Sequence, residues 1–220
     1  MPLLAIAAAL ALRIVVQRTS LDLLDSLPVA ITVQNSGPAP VTARFPQPAE
    51  YRLDLTDGSG TVVWTSQAAP TPGASFPVHE RRFAPGVSTL VVYAWNQLAS
   101  GGWSPLAGTY LLKARLLSTR DQPENSVTVR FVAPLSPGSI AELKAGEVYT
   151  IAGMLDASGL QIADARGSAR LSHRLMGAPN DATLVARGHV VAGADGTRSF
   201  FVERWARLGP PPHPAPVSSS

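Results

Sequence analysis

Along residues 12 to 132, apolar and polar positions alternate with a period of two. Val29, Ile31 and Val33 alternate with Ala30, Thr32 and Gln34, and Tyr51, Leu53 and Leu55 with Arg52, Asp54 and Thr56. Tyr110, Leu112, Ala114 and Leu116 fall on one side of a longer run, and Val127, Val129 and Phe131 on one side of the last. Successive side chains of a strand point to opposite faces, so the pattern predicts half-buried strands, the first over Leu12 to Arg18. No segment here carries a sustained 3.6-residue stripe. Asn35-Ser36-Gly37-Pro38, Asp57-Gly58-Ser59-Gly60 and Pro85-Gly86 supply turn chemistry between the runs. Many short strands separated by such turns predict a two-sheet sandwich, because an antiparallel sheet must bury its apolar face against another.

Pro134 to Gly138 reads as a linker, and a second series of strands follows. It runs Gly146 to Asp156, Leu160 to Asp164, Ser168 to His173, Thr183 to Ala192 and Ser199 to Arg207. Gly153 falls inside the long first strand, where a glycine permits a sharp bend. Ser139 to Leu143 fits one helical turn. Arg174 to Asp181, broken by Gly177 and Pro179, is too short for a helix. The pattern divides the chain into a lead-in (1–11), a sandwich (12–133), a linker (134–138), a second domain (139–208) and a Pro/Ser-rich tail (209–220).

Two resemblances sharpen this reading. Val33-x-Asn35-Ser36-Gly37, Phe45-Pro46, Tyr51-x-Leu53-x-Leu55-x-Asp57, Gly60 and Val63-Trp64 occur in the order and spacing of a BsuPI-type intracellular proteinase inhibitor domain. Phe83-x-Pro85-Gly86, Tyr93-x-Trp95 and Gly108-x-Tyr110 continue the match, which covers about residues 12 to 118. The resemblance implies an immunoglobulin-like β-sandwich that binds a protein, a protease among the partners. Within it, Tyr51 and Trp64 are expected on paired strands facing the core. The long segment Ser66 to Arg82, rich in Pro, Ala and Gly, departs from the family pattern. The second domain resembles a small OB-like five-stranded β-barrel, with Asp164-Ala165-Arg166-Gly167 as the turn between its second and third strands.

Composition narrows the classes. Apolar residues make up 45% of the 220, too many for a disordered chain, and no apolar run is long enough to span a bilayer. The net charge of +3 is spread over both halves, ten cations against eight anions up to Val132 and eight against seven beyond it. Neither half concentrates the positive field of a typical nucleic-acid binder. The absence of cysteine excludes disulfides and thiol chemistry. Leu3 to Leu12 has the length of a signal-peptide apolar region, with Ala9-Leu10-Ala11 as a cleavage site, but no cationic residue precedes it. A cytoplasmic protein and one exported to the cell envelope therefore stay open.

Catalytic motifs are missing. His79-Glu80-x-x-Phe83 begins like a zinc-protease motif but has Phe where the second His is needed. His173, His189 and His213 lack ligand spacing, and no nucleophile elbow, phosphate loop or dinucleotide fingerprint occurs. The expectation is a non-catalytic protein-binding chain that needs no cofactor. The alternatives are an envelope-associated adhesion-type protein and a single-stranded nucleic-acid binder acting through the OB-like domain. For the protein partner, two loops stand out, Gln67 to Arg82 ending in Arg81-Arg82, and Gln97 to Leu106 carrying Trp103. For nucleic acid, Arg166, Arg170 and Arg174 are spaced to share one face of a strand, but without an aromatic nearby to stack bases.

Overall fold

The structure, a computed structural model, describes residues 10–67, 76–95, 102–179 and 182–209. These form two compact units. The first takes residues 10–19, 26–67, 76–95 and 109–130; the second takes 20–25, 102–108, 131–179 and 182–209. Strands are numbered in chain order.

The first unit is all β. Its strands are β1 (Leu10–Val16), β3 (Leu27–Asn35), β4 (Val41–Phe45), β5 (Tyr51–Thr56), β6 (Val62–Thr65), β7 (His79–Phe83), β8 (Gly86–Trp95) and, apart from Gly108, Phe131 and Val132, β10 (Gly108–Leu116) and β11 (Glu124–Val132). One sheet has the order β1-β3-β8, the part of the facing sheet that belongs to this unit runs β11-β10-β5-β6, and β4 pairs with β7 as a separate ribbon. The alternation in sequence is the reason. Val29, Ile31 and Val33 of β3 and Leu53, Leu55, Leu112, Ala114 and Leu116 of the facing sheet are all fully buried. Register puts Leu112 opposite Leu55 and Ala114 opposite Leu53, so apolar side chains meet across strands as well as across the sandwich.

The aromatic core differs from the expectation. Tyr51 and Trp64 do lie on neighbouring strands, but both are only half-buried. Trp95, Phe45 and Phe83 fill the centre instead. β6 is the outer strand of its sheet and stays partly open to solvent along its whole length, whereas Trp95 ends β8 opposite the buried Leu27 of the central strand β3. Trp64 packs over Trp95, with ring centroids 5.3 Å apart.

The second unit comprises β2 (Ser20–Asp22), β9 (Trp103–Ser104), a 3-10 turn (Pro137–Ala141), β12 (Val148–Leu155), β13 (Gln161–Asp164), β14 (Gly167–Arg170), β15 (Thr183–Ala192) and β16 (Arg198–Leu208). Its sheet has the order β14-β13-β12-β15-β16-β9. Ile151, Leu155, Ile162, Leu171, Leu184, Val190 and Phe200 form its core. The Pro134–Gly138 segment is folded into this unit. Leu135 N–H donates to the Thr150 carbonyl at 2.8 Å, and Ser136 caps the 3-10 turn. No helix occurs in the described part of Arg174 to Asp181.

The sheet is not closed into a barrel among the described residues. β14 ends at Arg170, and beyond it a single bridge joins Leu171 to Phe200 of β16, with Ser172 N–H donating to the Phe200 carbonyl at 3.0 Å. A bend at Ser172 and His173 then turns the chain away, and β9 pairs with the far end of β16. Gly153 and Gly188 allow the sheet's close approaches. A Cβ on Gly153 would lie 2.5 Å from the Ala163 carbonyl oxygen, and one on Gly188, at a bulge in the β15–β16 ladder, 1.9 Å from that of Phe201.

Candidate functional site

A cluster of charged side chains in the first unit lies on and beside the β4–β7 ribbon. Asn35 sets the ribbon's position. Its buried Oδ1 accepts from Gly37 N–H at 3.0 Å, and its Nδ2 donates to the carbonyls of Ala39 at 2.8 Å and Phe83 at 3.1 Å. The amide thus shapes the turn into β4 and fastens it to the end of β7. Phe45 and Phe83, both fully buried, anchor the two ends of the ribbon.

Arg81 and Arg82 both lie in β7, yet their surroundings differ. The Arg81 guanidinium pairs with the Glu50 carboxylate, donates to the Thr89 carbonyl at 3.0 Å and lies 5.5 Å from the Phe83 ring centre. His79 adds its Nε2 3.5 Å from the same carboxylate and stacks on Phe45. Arg81 is therefore committed to holding the ribbon, while Arg82 is exposed. On the neighbouring strand, Arg44 Nε lies 2.8 Å from Glu80 Oε1 at the surface.

Beside this ribbon is a half-open cavity of about 460 Å³. Val41, Thr42 and Arg44 form one wall and Thr119, Arg120 and Asp121 the other. Thr119 N–H donates to the Arg44 carbonyl at 2.8 Å and closes one end. The cavity joins residues more than seventy positions apart in sequence, so no local motif announces it. The only available signal was the polar turn that follows β10.

The remaining sequence candidates are dispersed. Of the Gln67 to Arg82 loop, residues 68–75 lie outside the described residues, as do residues 97–101 of the second loop, and His213. Trp103 belongs to β9 in the second unit, half-buried, with the Arg207 guanidinium 5.5 Å from its ring centre. Arg166, Arg170 and Arg174 do not share a strand face. Arg166 is in the turn before β14, only Arg170 is in the strand, and Arg174 lies beyond the bend. In the Arg166 turn, Asp164 accepts from the N–H groups of Arg166 and Gly167 and from the Ser136 hydroxyl. Desolvation opposes ionisation there, but these donors hold the carboxyl below its ordinary value.

An aromatic group absent from the sequence reading appears on β16. Phe201, 41% exposed, lies between His173 and His189, with centroid separations of 4.9 and 5.1 Å, and Glu203 Oε1 is 3.1 Å from His189 Nδ1. The pair Phe200-Phe201 held the signal: strand alternation buries one ring and must expose the other. Among the described residues, no three His, Asp or Glu side chains are gathered to hold a metal, and no helix is long and apolar enough to cross a membrane.

No known protein family and no curated protein matches the chain. Among solved structures it is similar to a β-glucosidase from Erythrobacter marinus at 14% identity, with a TM-score of 0.31. That alignment covers 56% of this chain and 15% of the enzyme, a likeness too slight to carry an argument about fold or activity.

Proposed function

We propose that the chain is a non-catalytic protein-binding protein whose first unit, a BsuPI-like sandwich, carries the contact surface. The observation that supports this reading is the cavity beside the β4–β7 ribbon. It combines a concave wall, exposed charges of both signs and a strand braced by Asn35, Phe45 and Phe83, a rigid support of the kind that lowers the cost of binding. The family resemblance makes a protease the first partner to try. Arg82, exposed on β7 next to the cavity-lining Thr42 in the ladder, is the side chain this reading assigns to the contact, while Arg81 is engaged by Glu50. The test is a titration of the purified chain against a panel of serine proteases, comparing wild type with Arg82→Ala. Saturable inhibition weakened by the substitution supports a proteinase inhibitor. Rapid cleavage after Arg82, or no effect on any protease, would remove proteases from the partner class.

A second reading follows from Phe201. If the second unit is OB-like, as its sequence resemblance implies, the exposed ring flanked by two imidazoles supports this reading as a surface on which bases could stack. The separated arginines give it no aligned cationic track, so binding to a single-stranded oligonucleotide should be weak and lost at physiological salt. Salt-resistant, sub-micromolar binding abolished by Phe201→Ala would instead make nucleic acid the ligand.

A further inference from the structure

We propose that the outer edge of β4 is a docking strand, to which an extended peptide segment of the partner adds by main-chain hydrogen bonds. The inference rests on reading the first unit as a protein-binding module. In a strand, the N–H and C=O of one residue point to one side and those of the next residue to the other. The Arg44 carbonyl accepts from Thr119, so Arg44 directs its main-chain groups away from β7, and Thr42, two residues earlier, does the same. The cavity lies on that side. Thr119 occupies the Arg44 carbonyl; by the same alternation the Arg44 N–H and both main-chain groups of Thr42 point to the cavity side rather than to β7.

These groups define the ligand. One residue of an antiparallel segment exchanges two hydrogen bonds with Thr42, and the carbonyl two residues away accepts from Arg44 N–H. Thr119 stands where the ladder would continue, so the site takes a short strand. Its volume is within the range of small-ligand and peptide pockets. Arg44 and Arg120 are balanced around it by Glu80 and Asp121, which favours a segment of little net charge, recognised through its backbone. Exposed edges are usually blunted against such pairing; here the charged side chains leave the main chain of Thr42 open to the cavity.

The probe is a library of N-acetylated, C-amidated hexapeptides with randomised residues, titrated against the full chain by fluorescence anisotropy. Thr42→Pro removes an N–H that β7 does not use, a placement sheets tolerate for proline. Thr42→Ala keeps the main chain intact. The expected result is that Thr42→Pro weakens the best peptide about tenfold or more while Thr42→Ala leaves it within about twofold. N-methylation of alternate peptide residues should abolish binding in one phase and spare it in the other, a readout that stands even if the proline variant does not fold. Equal binding by a folded Thr42→Pro variant, or indifference to N-methylation, would overturn the edge-strand site while leaving protein binding by this unit intact. If no hexapeptide binds but a protein does, the edge-strand site falls alone. If neither binds, both readings fall.

Discussion

Arg187 places its Nη2 2.9 Å from Oδ1 of Asp25, a carboxylate that is almost wholly buried in the second unit. Thr150 extends the contact, donating its hydroxyl to the Leu23 carbonyl at 3.3 Å, and Asp22 Oδ2 lies 3.7 Å from Arg187 Nη1. Together they fasten the segment Ser20–Asp25 to β12 and β15. That segment contains Leu24, buried and at a φ of 66°, a conformation unfavourable for leucine that the surrounding contacts must hold.

Removing the cation should therefore be costly. Arg187→Ala leaves Asp25 buried without its guanidinium and is expected to lower the stability of the second unit by about 3–5 kcal/mol. Arg207→Ala, an exchange at the sheet's end, should cost much less. Denaturant unfolding of both variants checks the difference.

In the first unit the sensitive aromatic is Trp95 rather than Trp64. Trp95→Ala should cost about 3–5 kcal/mol because a fully buried indole leaves a large cavity, and Trp64→Ala distinctly less because its ring is partly solvated already. Melting temperatures of the two variants decide the order.

Gly188 tests the bulge in β15. With the Phe201 carbonyl where a Cβ would stand, Gly188→Ala must displace backbone and is expected to destabilise the second unit by about 1–3 kcal/mol. Gly58→Ala, at a position with open space, serves as the control.

Acid should weaken the hairpin turns. The Ser59 hydroxyl and then the Thr61 N–H hold the Asp57 carboxyl below its ordinary value; the Ser158 hydroxyl does the same for Asp156, and the Thr197 hydroxyl and N–H for Asp195. A carboxyl depressed in the folded state binds its proton more readily when unfolded. Its contribution is present above the unfolded pKa of about 4 and is lost as pH falls through the lower folded value. Stability should hold from neutrality to about pH 5 and decline below, less steeply in Asp57→Asn. Denaturation midpoints measured across that range give the slope.

The sequence carried the strands because their signals are local. The alternation in β3 and β10 and the Asp57 and Asp164 turns specify structure within a few residues, and the strand segments expected after Gly146 correspond to β12 to β16 within a few residues at each end. What depended on distant partners was hidden. Nothing near Trp64 or Trp95 indicates which ring sits deeper, since that follows from strand order in the sheets. The even spacing of Arg166, Arg170 and Arg174 assumed one strand, and a bend at Ser172 and His173 separates them. The Arg187–Asp25 pair and the cavity between Thr42 and Asp121 likewise exist only once the fold has assembled.

The most direct measurement is amide hydrogen exchange on the full chain with and without a bound protein or peptide partner. A protein-binding surface on the first unit predicts slowed exchange in Val41–Phe45 and residues 118–121, with β12 to β16 unchanged. Protection confined to β15 and β16 around Phe201, with none along β4, would contradict it.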